Sequence, residues 1–332
     1  NRGIAKDSLE QHTEAIKDFD IAIDLKRDSA EYYNARGIAK ENLEMFEEAI
    51  KDYAQSIAID GSNPETFNNR GSCLFELGQY PKAIADFTSA LEIDPEFVDA
   101  YISRGRAKNE LEHFDEAIDD FENALGIDPN NSTAFCFCGV AKESLRKHQE
   151  AIVDYTTAIR LDPENFDAYF YRGVARDQIG AHQEALADLT HVIHNFPDED
   201  PNTYLHRGIT HEHLGQFHEA PQDYNMAITL DPLYVDAYFQ RGCLHGRMGN
   251  PAAINDFEKA ISLDPTHQRS FYQRGVFFVK MAVYDSAIRD FEAVSALDET
   301  DAFAWSSLGF VKCLTGDWDA GIAHMKKALQ TH

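Results

Sequence analysis

One glycine sets the frame of this chain: Gly3, Gly37, Gly71, Gly105, Gly139, Gly173, Gly208, Gly242, Gly275 and Gly309. Seven of the nine intervals are 34 residues; Gly173 to Gly208 is 35 and Gly242 to Gly275 is 33. A fixed period of this size marks a chain built by stacking one small unit on itself, and it outranks any argument from total length.

Other positions travel with the glycine. Twelve residues on stands Ala15, Ala49, Ala83, Ala117, Ala151, Ala185, Ala220 or Ala287, with Ala253 at eleven and Gly321 in the last copy. Seven further is a second small residue, among them Ala22, Ser56, Ala90, Ala124 and Ala158. An aromatic precedes the glycine by four (Tyr33, Phe67, Tyr101, Phe135, Tyr169, Tyr204, Tyr238, Phe271, Trp305), and another follows it by sixteen (Phe19, Tyr53, Phe87, Phe121, Tyr155, Tyr224). Spacings of three, four and seven belong to helical faces. From Pro64, residues 65–77 form one amphipathic helix stopped by Gly78; residues 81–94 form a second, opened by Pro81 and closed before Pro95. Neither helix can bury its apolar face alone, so stacked neighbours complete the core. The expected fold is all-α, a solenoid of about ten antiparallel helical hairpins with no strand. The odd intervals place an insertion at 197–202 and a deletion in the Gly249–Ala253 turn.

The glycine, the paired alanines, the aromatics and the Asp-Pro closings at Pro95, Pro129, Pro163, Pro232 and Pro265 resemble the tetratricopeptide repeat family over essentially the whole chain. The units read 1–29 (partial), 30–63, 64–97, 98–131, 132–165, 166–200, 201–234, 235–267, 268–301 and 302–332, one array across 1–332. The resemblance implies a right-handed α-solenoid with the first helix of each hairpin on the concave wall. It also implies a non-catalytic interaction scaffold without cofactor. Ciliary, cytoskeletal and trafficking assemblies enter by family analogy alone.

The chain departs from the family at the residue before the glycine, commonly Leu. Here it is Arg2, Arg36, Arg70, Arg104, Arg172, Arg207, Arg241 and Arg274. An Asp recurs on the second helix: Asp18, Asp52, Asp86, Asp120, Asp154, Asp188, Asp223, Asp256 and Asp290. The last copy has Leu308 and His324, so both disappear together, while Cys138 faces a retained Asp154. A partly buried Asp needs a partner, and Arg serves it with two parallel bonds. A structural Arg–Asp ladder is therefore expected, with Lys6, Lys40, Lys108, Lys142 and Arg176 one turn on sharing the acid. The alternative is a row of anion-binding arginines.

No sequence signal for catalysis or metal stands out. His12, His148 and His182 occupy a site held elsewhere by Phe46, Tyr80, Phe114 and Phe217, which reads as packing. His191 and His194, or His211, His213 and His218, would need a convergent further ligand to hold a metal, and none is expected. Cys136 and Cys138 lack zinc spacing, and the other cysteines, Cys73, Cys243 and Cys313, are scattered, which suits a reducing, intracellular, cytoplasmic setting. The family's carboxylate clamp is missing: the residue after the glycine runs Ile4, Ile38, Ser72, Arg106, Val140, Val174, Ile209, Cys243, Val276, Phe310.

Three residues before successive glycines stand Ile102, Cys136, Phe170, Leu205, Phe239 and Tyr272, flanked by Phe137 and Tyr171. They either pack between adjacent first helices or form an apolar strip for a partner segment; the second reading is preferred. Acids outnumber bases 57 to 30, a formal charge of −27. That field opposes nucleic acid and favours a protein or peptide with apolar anchors and basic flanks. No apolar run is long enough for membrane insertion. The rival readings are a non-catalytic arm of a larger enzyme and a self-associating array. The opening residues already belong to a late part of a first helix, and Ile322, Met325 and Leu329 would face water; a longer native protein, or neighbours covering the array ends, is expected.

Overall fold

The computed structural model of the chain describes residues 2–195 and 200–331. It divides into two compact units, Asn1–Ile179 and Gly180–His332. The first holds α1 (Arg2–Asp7), α2 (His12–Leu25), α3 (Ala30–Glu41), α4 (Phe46–Ile59), α5 (Pro64–Glu76), α6 (Tyr80–Ile93), α7 (Val98–Glu110), α8 (Phe114–Ile127), α9 (Ser132–Ser144), α10 (His148–Leu161) and α11 (Phe166–Gln178). The second holds α12 (His182–Asn195), α13 (Pro201–His213), α14 (Ala220–Leu230), α15 (Val235–Arg247), α16 (Ala252–Leu263), α17 (Gln268–Lys280), α18 (Tyr284–Leu297), α19 (Ala302–Leu314) and α20 (Trp318–Gln330). There is no strand among the described residues, and none of these helices is long and apolar enough to cross a membrane.

Local chemistry explains where helices begin and end. Asn63, Asn131, Asn165, Asp200 and Asp301 cap odd-numbered helices with a side-chain oxygen. The even-numbered helices stop at Asp94, Asp128, Asp162, Asp231 and Asp264 in extended backbone. The Asp94 carboxylate accepts the amide of Glu96 at 3.0 Å, the same turn recurs down the chain, and the following proline cannot continue a helix. Between the two helices of a hairpin one residue takes positive φ. Gly78, Gly215, Gly249 and Gly316 do so without cost, but Glu44, Glu112 and Arg146 occupy the same region at a price of about 1 kcal/mol each.

The hairpins close on the recurrent small residues. The alanines eleven or twelve residues after the repeat glycine, from Ala15 through Ala287, are fully buried. Gly105 lies against the ring of Phe121 so tightly that a Cβ there would sit 2.6 Å from Cε1. The glycine and the aromatic sixteen residues on are therefore one contact repeated along the chain. Within each unit, consecutive helices pack in series. Closer packing between alternate helices involves the odd-numbered set: α3–α5, α5–α7, α7–α9 and α9–α11 in the first unit, α13–α15 and α15–α17 in the second. Crowding on one side only places the odd-numbered helices on the inner wall of each unit.

Half of the insertion expected at 197–202, residues 197–199, lies outside the described residues; Asp200 caps α13, which starts at Pro201. At the other irregular interval α15 ends at Arg247 and α16 starts only at Ala252, so α16 is two residues shorter than α8.

Candidate functional site

The arginines and aspartates meet inside the hairpins. Nη2 of Arg36, Arg104, Arg207 and Arg241 lies 2.6 Å from Asp52, Asp120, Asp223 and Asp256, and that of Arg70 and Arg274 lies 2.7 Å from Asp86 and Asp290. In each the Nε donates as well, so the pairs are two-pronged. The guanidinium carbon also stands 5.4–5.7 Å over the aromatic one turn earlier on its own helix, Tyr33 under Arg36 and Tyr101 under Arg104 among them. Arg172 belongs to the first unit, where it covers Tyr169 and donates to Thr156 at 3.2 Å; Asp188 is buried in the second.

The second cation follows the expected register. Lys40 reaches Asp52 at 2.7 Å, Lys108 reaches Asp120 at 2.9 Å, and Lys142 serves Asp154 at 2.6 Å where Cys138 replaces the arginine. Arg2 and then Lys6 hold Asp18 down to about 2. Asp290 shows the limit of such pairing: burial pushes it up, and Arg274 offsets this only in part.

One feature of the ladder is not anticipated by the Arg–Asp register. Several arginines also reach back with Nη1 to the even-numbered helix of the preceding hairpin. Arg36 donates to Asp20 at 2.6 Å, Arg104 to Thr88 at 3.2 Å and Arg241 to Asn225 at 2.5 Å, while Arg274 lies 3.9 Å from Glu258. The sequence signal is a polar residue sixteen before the arginine, the mirror image of the Asp sixteen after it. A second such pattern is a Glu twelve before each core tyrosine. Tyr53 donates to Glu41, and Tyr224 to the buried Glu212. Burial raises Glu41.

The histidines singled out as packing residues have local partners: His12 lies 2.6 Å from Asp7 and His148 2.8 Å from Glu143. All five cysteines are free. Burial pushes Cys138 and Cys243 up to about 12 and raises Cys73 and Cys136 further, which keeps these sulfurs as unreactive thiols.

The apolar strip needs correction at four positions. Ile102 is 7% exposed, Leu205 5%, and Cys136 and Phe239 3% each, so these are core residues and offer nothing to a partner. A residue three before the glycine points between adjacent odd-numbered helices. Phe239 packs on Phe257 at 6.2 Å and meets His267 edge-on at 5.2 Å. Phe137, Phe170, Tyr171 and Tyr272 are half-buried. Phe137 stacks near Phe121, and Arg106 lies 4.9 Å from the rings of both Phe75 and Phe137.

Instead, α19 carries exposed apolar side chains beside clefts that α17 helps to line. A cleft of about 300 Å³ runs between Tyr272, Arg269 and Phe303, and a second of about 410 Å³ between Val276, Val279 and Phe310. Phe303 is 72% exposed and Phe310 51%. Arg269 covers the Phe239 ring at 4.5 Å and gives the first cleft a charged rim opposite Asp301. The position held by Phe303 carries an exposed acid on five other odd-numbered helices, Glu31, Glu65, Asp99 and Asp167 in the first unit and Asp236 in the second, while α9, α13 and α17 have Thr133, Asn202 and Arg269 there.

These features define a helical-repeat protein with an internal charge ladder. The Tetratricopeptide repeat models match residues 30–63, 64–97, 98–131, 167–199 and 235–267, and a TPR repeat model matches 144–180, together more than half of the chain. The chain belongs to the tetratricopeptide repeat family. No curated protein matches its sequence. Among solved structures it is similar in fold to a tetratricopeptide repeat protein from Parabacteroides merdae, with TM-score 0.59, 19% identity, 75% of this chain and 98% of that one covered. The Cut9–Hcn1 hetero-tetramer of the APC/C gives 0.58, 16%, 99% and 79%. The human IFIT1 dimer with m7Gppp-AAAA gives 0.60, 17%, 99% and 88%.

Proposed function

We propose that the chain is a non-catalytic scaffold, one array of ten units, that holds a segment of another protein on the inner wall of its odd-numbered helices, with the apolar anchor at α17 and α19. The observation that carries this reading is the pair of clefts beside Phe303 and Phe310, large apolar side chains left in water on a wall where five of the positions equivalent to Phe303 carry an exposed acid. The exposed acids of the first unit and Asp236 of the second favour basic flanks on the partner. The charge of −27 argues against a nucleic-acid ligand such as the one solved with human IFIT1, because phosphates would meet a repelling field. Five free cysteines, three of them buried, suit a reducing cytoplasmic setting.

The test is cross-linking with affinity capture, run on the natural chain and on Phe303→Asp with Phe310→Asp. Cross-links should concentrate on α17 and α19, and capture should fall at least about tenfold in the variant with helicity unchanged. Equal capture by the two proteins would refute the placement.

A further inference from the structure

The ladder has one rung that lacks both of its accessory partners. Arg70 binds Asp86 through Nε and Nη2, each at 2.7 Å. Sixteen residues before it stands Ala54, at the place from which Asp20, Thr88 and Asn225 accept the Nη1 of their arginines. One turn after it stands Leu74, where Lys40 and Lys108 bring a second cation to Asp52 and Asp120. Among the described arginines of the ladder, Arg70 alone lacks both. Arg274, followed by Phe278, keeps Glu258 within 3.9 Å. Arg207 has no bond to Thr190 but keeps His211 beside Asp223.

A cleft of about 510 Å³ opens at this rung, on the side of α4 and α6, away from the inner wall. Ile50, Leu74, Leu77 and Ala85 make its apolar lining. Arg70, Lys51 and Lys82 bring three cations to it, against Glu47 and the already committed Asp86. In a chain with a formal charge of −27 this is a locally positive spot. The free edge of the Arg70 guanidinium is a fixed fork of N–H donors, shaped for a carboxylate.

We propose that this cleft is a docking site for a peptide segment of a protein partner that carries an aliphatic side chain next to a carboxylate. The carboxylate takes the acceptor position that Asp20 holds at Arg36, and the aliphatic chain covers Ile50 and Leu77. The partner chemistry is opposite in charge to that favoured by the inner wall, and this site does not depend on the one at α17 and α19.

Octanoate carries both features and serves as the probe, with 1-octanol as its uncharged counterpart. Amide resonances of α4 and α6 in the full chain should shift saturably with octanoate, and octanol should bind about tenfold more weakly because it forgoes a charge-assisted bond. Ala54→Asp restores the rung found at Arg36 and should remove the octanoate response without lowering the melting temperature. Ala54→Thr, which copies the acceptor Thr88, should weaken it if the aspartate variant folds poorly. Phe303→Asp should leave it unchanged, which separates this site from the inner wall. Equal binding of octanoate and octanol, an unchanged response in folded Ala54 variants, or no saturable shift in α4 and α6 would each overturn the proposal.

Discussion

The hairpins α7–α8 and α19–α20 have nearly the same helix lengths and different cores. In the first, Gly105 lies on the Phe121 ring, and Arg104 joins Asp120 below it and Thr88 on α6. In the second, Leu308 and His324 stand where the ion pair would be. A Cβ on Gly309 would sit 2.8 Å from the carbonyl oxygen of Gly321, so backbone meets backbone instead of ring. His324 stacks on Trp305 at 5.4 Å, and the Lys327 ammonium sits 3.7 Å over the same indole. The hairpin therefore does not require the charged rung. What the rung adds at α7–α8 is a bond to a third helix, which fixes how one hairpin sits on the one before it. The α19–α20 hairpin also leaves Phe303, Phe310, Trp318, Ile322 and Leu329 exposed.

The sharpest way to break this comparison is to remove one ring from each hairpin. Phe121→Ala should cost about 3–5 kcal/mol, because it empties a filled core site, and Phe303→Ala less than about 0.5 kcal/mol. Denaturant titration reads both, and similar costs would mean that Phe303 is also core. Next in size is Gly105→Ala, where the ring must move for the new methyl; a loss of about 1–3 kcal/mol is expected in the same assay. A neutral result would detach the glycine period from close packing.

A smaller effect tests whether the rung can be transplanted. His324→Asp alone should destabilise α19–α20, since it places an acid beside Leu308. Adding Leu308→Arg should recover the loss, with a coupling of about 1 kcal/mol in a double-mutant cycle. No recovery would mean that the close Gly309–Gly321 approach excludes the pair.

The smallest expected effect is in the pH profile. Burial holds the Glu41 carboxyl above its ordinary value of 4.5. Folding therefore favours its protonated form. That contribution is full below the unfolded pKa and is lost as pH rises through the folded one. Glu41→Gln should flatten the melting temperature between about pH 4 and about pH 7 and raise it slightly at the upper end. A variant with the natural slope would place the dependence on other groups.

Most of the fold is legible in the sequence because the period is strict and each class of position recurs. The glycine and the aromatic sixteen residues on name the tight contact, and the shared loss of Arg and Asp in the last copy points to their pairing. Burial on the inner wall is harder to read. Ile102, Leu205 and Phe239 lie at a helical angle between wall and neighbour, and apolar type alone does not decide which side wins. Phe303 and Phe310 do not stand out, because their positions carry mixed residue types from copy to copy, and only the packed structure shows that nothing covers them. The third contact of these arginines is visible in Asp20, Thr88, Asn225 and Glu258, but it joins successive hairpins, whereas the Arg–Asp register lies within one.

The central claim is that each arginine of the ladder is committed to its aspartate, so that the ladder is internal structure and only the accessory edge of Arg70 is left for an outside carboxylate. The direct measurement is a double-mutant cycle on Arg104 and Asp120 by equilibrium unfolding. Asp120→Leu alone should cost about 3 kcal/mol, because it strands Arg104 and Lys108 without their acid, and Arg104→Met should cost a comparable amount. The double replacement should recover most of either loss, since an apolar pair of similar volume tolerates the site. If both single variants stay within about 0.5 kcal/mol of the natural chain and show no coupling, the arginines are not committed to their aspartates. The ladder would then be a row of cations open to external anions, contradicting the account.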